Sequence, residues 1–165
     1  MIVKYDHNNQ GAPSESVGSA SAIRLGFSTV DDLMTAAPLS MTPETRIGDA
    51  VRRFREQGIS HIPVATNGFL QGILSDRDVL RHLATHEASV EAPIESIMTP
   101  NPITVERTDL VSEAIAKLMR HKVHCLPVIE GDHRVVGIIT TTDLIRALYA
   151  TVTYLERQQS ATKAA

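Results

Sequence analysis

The sequence predicts an α/β fold (α+β in detail) of two β-α-β-β-α repeats packed sheet to sheet with pseudo-twofold symmetry. Three observations carry this. A stretch of about sixty residues recurs within the chain. In each copy the apolar spacing switches between helical and strand periods in the same order. A unit that short leaves one sheet face uncovered and is marginal alone, so two copies stabilise each other.

The repeat is read directly. "VDDLMTAAPLSM" starts at Val30 and "IESIMTPNPITV" at Ile94. Met34-Thr35 falls on Met98-Thr99 and Pro38 on Pro102, an offset of 64. The same offset sets Ala50 on Ala114, Phe54 on Leu118, and Pro63-Val64 on Pro127-Val128. It then becomes 65, with Gly72 meeting Gly137 and Asp78 meeting Asp143. The added residue belongs in the turn between the second and third strands, where insertion costs little.

Each copy opens with a short helical turn, "VDDLM" or "IESIM". "PLSM" and "PITV" are short first strands. A helix follows. In copy one Ile47, Ala50, Val51 and Phe54 obey i, i+3, i+4, i+7 spacing, with Thr45 as N-cap and Gly58 as the stop. In copy two Val111, Ala114, Ile115 and Leu118 do the same, with Asp109 as cap. "HIPVA" and "CLPVI" are second strands. Turns come at Thr66-Asn67-Gly68 and Glu130-Gly131-Asp132, and Asn-Gly is a strong hairpin signal. "FLQGILS" and "RVVGIIT" are third strands, and second helices begin at about Asp76 and Thr142.

This divides the chain into a flexible N-terminal arm (1–28), repeat one (29–88), repeat two (89–150) and a C-terminal helix extension and tail (151–165), with a polar linker at 85–93. In the arm, Ile2, Val3 and Tyr5 are a candidate edge strand. The last helix carries Leu144, Ile145, Leu148, Val152 and Leu155 as one apolar stripe running toward Arg157. Such a stripe needs cover, from a second copy of the chain as a homodimer or from this chain itself.

Composition narrows function. The net charge is −3 and the pI about 6.1, which argues against nucleic acid as a partner, since such domains carry a clustered basic excess. Arg52-Arg53-Phe54-Arg55 reads as a solvated helix face. The single cysteine, Cys125, excludes an intramolecular disulfide and favours a reducing, cytoplasmic setting. No apolar run approaches the ~20 residues of a membrane helix. The start of the chain lacks the apolar core of a secretory signal.

The ends of the third strands carry the chemistry. "GILSDRDV" (72–79) and "GIITTTDL" (137–144) share the pattern Gly, two apolar residues, Ser/Thr, two residues, Asp. Ser75 and Thr140 end the strands, and Asp78 and Asp143 follow within the first helical turn. Free N–H groups and the positive dipole end at a helix start suit phosphate, and a carboxylate can accept from both hydroxyls of a ribose. The same residues also make a good N-terminal cap, Ser/Thr before and Asp at the third helical position. Both readings stand at this level. Histidines spaced like His82 and His86, or His121 and His124, lack a His-Glu-x-x-His pattern and read as surface groups. Cys125, in a buried strand, reads as a core thiol.

The ordered set, twice over, resembles the CBS domain, and the pair resembles a tandem CBS module (Bateman module). The match rests on Met34-Thr35 and Met98-Thr99, on "HIPV" and "CLPV", and on "GILSDRD" and "GIITTTD", and it covers about residues 30–150. The resemblance implies a non-enzymatic regulatory module that binds an adenosine-containing ligand (AMP, ADP, ATP or S-adenosylmethionine) in two clefts between the repeats. It implies no required cofactor, a homodimer, and an unknown regulated protein as partner. Carried over by position, Asp78 and Asp143 face the ribose, and Ser75 and Thr140 the ribose or phosphate. Arg77 and Thr142 face phosphate, as do His61 (beside Ser60) and His124 (beside Cys125). The purine slot is assigned to Ile62-Pro63-Val64 or Leu126-Pro127-Val128 and the first strand. Copy two carries hydroxyls where copy one carries Arg77, so the clefts are expected to differ. The alternative is a ligand-free structural or dimerisation module. An enzyme is the least supported reading, since no nucleophile–base pair can be named.

Overall fold

The computed structural model describes residues 28–85 and 89–163. The arm residues Ile2, Val3 and Tyr5 lie outside them, as does His86. Copy one runs from a 3₁₀ turn (Val30–Asp32) through β1 (Thr35–Ala36), α1 (Ile47–Gln57), β2 (His61–Thr66) and β3 (Phe69–Ser75) to α2 (Asp76–Leu83). Copy two runs from a 3₁₀ turn (Ile94–Ser96) through β4 (Thr99–Pro100), β5 (Val105–Glu106), α3 (Val111–His121), β6 (Cys125–Glu130) and β7 (Arg134–Thr140) to α4 (Thr141–Lys163). The slip in the repeat sits where the strands reverse, two residues between β2 and β3 and three between β6 and β7. Asn67 and Gly68 both have positive φ, 53° and 84°, as a two-residue hairpin with this twist requires.

Helices α1 and α3 bury the residues their spacing assigned to the core: Ile47, Ala50 and Phe54 in one, Ala114 and Leu118 in the other. Ile115 is more exposed. Gly58 ends α1 in the left-handed conformation at φ 61°. Lys122 ends α3 the same way at φ 54°. The expected caps are displaced. Arg46 and Leu110 occupy the cap positions without a side-chain cap bond. The Thr45 carbonyl instead accepts from Ile94 N–H (2.8 Å), and Asp109 accepts from Glu106 N–H (3.1 Å) and Lys117 Nζ (3.3 Å). The first strands are also shorter than expected. "PLSM" contributes one parallel bridge, Met41 to Val64, and "PITV" pairs only from Val105 onward. Pro38 and Pro102 cannot donate to a ladder, and both turn instead toward the clefts described below.

The two opening turns change places. Met41, Ile47, Ala50, Phe54, Ile62, Val64, Leu74 and Val79 form one core, and Ile94, from the start of copy two, completes it. Val105, Ala114, Leu118, Leu126, Val128 and Ile139 form the other, and Val30 completes that one. Val30 and Ile94 are both fully buried, which is worth roughly 1.5–3 kcal/mol each. Backbone bonds fix the exchange. Val30 N–H donates to Asp109 O (2.9 Å) and Asp31 N–H to Arg107 O (3.0 Å), while Ile47 N–H donates to Ala92 O (2.9 Å). Strand β1 then pairs with β7, and β4 with β3. Met34 lies over Gly137, and Met98 over Gly72, where an added Cβ would have no room.

The result is one hydrogen-bonded sheet in the order β2-β3-β7-β6-β5. Strands β3 and β7 meet only at their starts, where Phe69 pairs with Arg134 and the guanidinium lies 5.5 Å from the ring centroid. Their other ends, Ser75 and Thr140, are left unpaired with each other, and the clefts open there. Helix α4 continues past the fold with Ile145 64%, Leu148 60%, Tyr149 73% and Val152 43% exposed. These four follow i, i+3, i+4, i+7 spacing, so the uncovered face is one continuous stripe.

Substituting Ala at Gly72 or Gly137 is expected to cost about 1–3 kcal/mol through overpacking. Gly72→Ala should cost more, because a new Cβ would stand 2.9 Å from the rigid Thr99 carbonyl oxygen as well as against flexible Met98. Urea denaturation midpoints at constant m-value check this.

Candidate functional site

Strands β3 and β7 hand over directly to α2 and α4, and the handover is built by the motif itself. Ser75 Oγ and Ser75 N–H both donate to Asp78 Oδ2, at 2.6 and 3.0 Å, and Asp78 N–H donates back to Ser75 Oγ at 3.2 Å. Thr140 repeats this with Asp143, at 2.7, 2.9 and 3.4 Å. The cap of α4 is therefore Thr140, with Thr141 and Thr142 left to line the larger cleft. The second carboxylate oxygen of each acid lies beside an exposed guanidinium, Asp78 Oδ1 at 3.1 Å from Arg81 and Asp143 Oδ1 at 3.8 Å from Arg146. The arginine end of each pair is exposed and the carboxylate partly buried, so the arginine can swing away at little cost. Each acid thus has one oxygen locked by the backbone and one able to accept from a ligand.

Two clefts use these groups. The larger, about 610 Å³, is lined by Thr140, Thr141, Thr142, Asp143 and Arg146 from copy two, and by Ser60, His61, Ser75, Asp76 and Arg77 from copy one. The smaller, about 320 Å³, is lined by Ser75, Arg77, Asp78 and Arg81 from copy one and Lys122, Val123, His124 and Cys125 from copy two. Each holds one motif carboxylate. His61, Ser75, Arg77 and His124 line both clefts and form the wall between them. Both volumes fall in the range of small-molecule sites.

Eight of the twelve residues expected at the site are brought together here. Ile62, Pro63, Leu126 and Pro127 are not: all four are fully buried and line neither cleft. Strands β2 and β6 are covered on both faces, so their centres belong to the core. The apolar walls come from the expected first-strand segments, with Leu39 in the larger cleft and Ile103 in the smaller, and from Ile59, Ala37 and Ile138 in the larger and Ile73 in the smaller. The repeat offset relates Ile73 to Ile138, and that symmetry was the signal available for them. The rims carry another paired feature: Ala37 and Asn101 have φ 45° and 46°. A left-handed alanine is strained. It is held by Ala37 N–H donating to Val136 O (3.0 Å), as Asn101 N–H donates to Gln71 O (3.2 Å).

Burial holds the His61 imidazole below its ordinary value of 6.5; nearby His124 and Arg77 push the same way, and Asp76 and Asp78 oppose. His61 thus meets a ligand as a neutral donor or acceptor. Burial, with the Asp143 charge second, pushes the Cys125 thiol up to about 12, so it stays protonated and unreactive. Among the described residues no group of three or more His, Cys, Asp or Glu side chains is placed to hold a metal ion.

A model of the CBS domain matches this chain twice, over residues 30–85 and 94–150. The chain belongs to the CBS domain family. It is 29% identical over 153 residues to the CBS domain-containing protein CBSCBSPB5 of Arabidopsis thaliana, covering 92% of this chain and 27% of that protein. It therefore spans about a quarter of that relative's length. Among solved structures it resembles the CBS domain pair of protein MJ0100 in complex with 5′-methylthioadenosine and S-adenosyl-L-methionine. The TM-score is 0.70 at 28% identity, over 76% of this chain and 98% of that one. It also resembles CBSX2 in complex with AMP, with TM-score 0.68 at 26% identity over 74% and 97%.

Two outcomes are expected. Ser75→Ala and Thr140→Val should each cost about 1 kcal/mol by loss of the cap, seen in urea unfolding. The lowered His61 value means that the unfolded chain binds a proton the folded chain refuses. Stability is therefore full above pH 6.5 and declines as pH falls below it, levelling off once His61 protonates in the folded state. His61→Gln should flatten that decline when unfolding free energy is followed between pH 7.5 and 5.

Proposed function

We propose that this chain is a regulatory CBS-pair module that binds an adenosine-containing ligand in the clefts between its repeats. One observation supports it most: in each cleft a carboxylate is fixed by its own cap, with its outer oxygen turned toward a space of ligand size and a hydroxyl beside it. The similarity to CBS domain pairs in complex with AMP, or with S-adenosyl-L-methionine and 5′-methylthioadenosine, supports the same ligand class. Asp78 and Asp143 would accept from the ribose hydroxyls. Ser75, Arg77, Thr140, Thr142, His61 and His124 would serve the phosphate or its equivalent. The ligand acts by binding one arrangement of the repeats better than another, and that difference is what a partner protein reads. The one cysteine offers no activated nucleophile, because burial holds its thiol protonated.

The capping bonds also favour a second reading, a module that only holds structure. A thermal-shift panel of AMP, ADP, ATP, S-adenosylmethionine and NAD separates the two. Stabilisation by an adenosyl compound is expected, reduced in Asp78→Asn and again in Asp143→Asn. No shift at millimolar concentration with any of them supports the structural reading.

The exposed stripe on α4 supports a homodimer, with a second copy of the chain as the occupant. Four apolar side chains at coiled-coil spacing fit against their own copy. Leu148→Glu is expected to convert a dimer to a monomer in sedimentation equilibrium. An unchanged mass, dimeric or monomeric in both proteins, contradicts this role for the helix.

A further inference from the structure

The two clefts share a wall but not a charge. Arg77 lines both, and it has no hydrogen bond or ion pair among the described residues. The repeat offset puts Thr142 where a second arginine would stand, and Thr142 lines only the larger cleft. One guanidinium therefore serves two sites.

The remaining charges lean in opposite directions. In the smaller cleft Asp78, already beside Arg81, is the only acid among the described residues, and Lys122 adds a cation whose amine has no partner among them. In the larger cleft Asp143 stands beside Arg146, and Asp76 adds a carboxylate without an ion pair among the described residues. Apart from Arg77, the unmatched charge is positive in one cleft and negative in the other. His61 and His124 face both and do not discriminate.

We infer that the clefts are sorted by ligand charge, with Arg77 and Lys122 directing a phosphate-bearing adenosyl ligand to the Asp78 cleft and Asp76 reserving the Asp143 cleft for one with an uncharged or cationic tail. The inference rests on the adenosyl reading above and adds which ligand goes where. A phosphate in the smaller cleft draws Arg77 to itself. Its neighbour then keeps Asp76 with no counter-charge, which repels a second phosphate and suits a sulfonium or a plain nucleoside. A diphosphate gains most, because Lys122 and Arg77 can take separate oxygens.

Isoleucine methyl groups report the two sites separately. Ile73 and Ile103 line only the smaller cleft, and Ile59 and Ile138 only the larger. The full chain, labelled at isoleucine δ1 methyls, is titrated with ADP, with S-adenosylmethionine and with both. ADP is expected to move Ile73 and Ile103 first, S-adenosylmethionine to move Ile59 and Ile138 first, and the two to bind together without competition. Arg77→Met and Lys122→Gln, both at exposed positions, should each weaken ADP by about tenfold and leave S-adenosylmethionine as tight or tighter by calorimetry. Asp76→Asn should bring ADP into the larger cleft at lower concentration. If ADP moves both methyl sets together, or if Arg77→Met binds ADP as well as the wild type, the sorting is wrong while adenosyl binding stands. If neither ligand nor adenosine moves any of the four methyls, the adenosyl reading fails and the sorting with it.

Discussion

Each core of this protein is closed by a turn that the sequence assigns to the other repeat. Val30 fills one and Ile94 the other, and the strands that follow are held by Met34 over Gly137 and Met98 over Gly72. The repeats cannot separate without opening both cores, because each would lose a fully buried aliphatic side chain and a set of backbone bonds. The exchange also fixes where the repeats do not touch. Strands β3 and β7 are tied at their starts and, through β4 and β1, near their middles, which leaves the ends at Ser75 and Thr140 apart. The clefts are what this pattern of attachment leaves open.

At those ends one set of hydrogen bonds does two things. The Ser75–Asp78 and Thr140–Asp143 bonds satisfy the first N–H groups of a helix, which any helix start needs. They also lock one carboxylate oxygen and so aim the other. Capping and ligand binding therefore do not compete as explanations; the first orients the group used by the second. The price of this economy is that removing the acid harms the helix as well as the site, so asparagine is a better probe than alanine.

Much of the fold was legible in the sequence because the chain states it twice. The offsets of 64 and 65 located β2, β3, β6 and β7, the Asn67-Gly68 turn and the start of α2, but not β1 or β4, and helical spacing found the buried faces of α1 and α3. What was not legible depended on contacts between the copies. Thr45 and Asp109 resemble caps, but the Thr45 carbonyl is taken by Ile94 from the other copy, and the Asp109 carboxylate turns back to Glu106 N–H and across to Lys117. "HIPV" and "CLPV" look like a slot for a flat ring because they are apolar strands. Periodicity cannot show that both faces are already covered. The charged residues of the motif escaped this error, since a strand end followed by a helix start is a local feature. Which cation faces which cleft required the exchange of the opening turns, and that is a long-range property.

The most direct test is a crystal structure of the chain grown with AMP. The ribose hydroxyls are expected within hydrogen-bond distance of the outer oxygen of Asp78 or Asp143, with Arg81 or Arg146 displaced and the base against Ile73 or Ile138. Clefts that stay free of nucleotide at millimolar AMP, ADP and S-adenosylmethionine, with both acids still paired to their arginines, would contradict this.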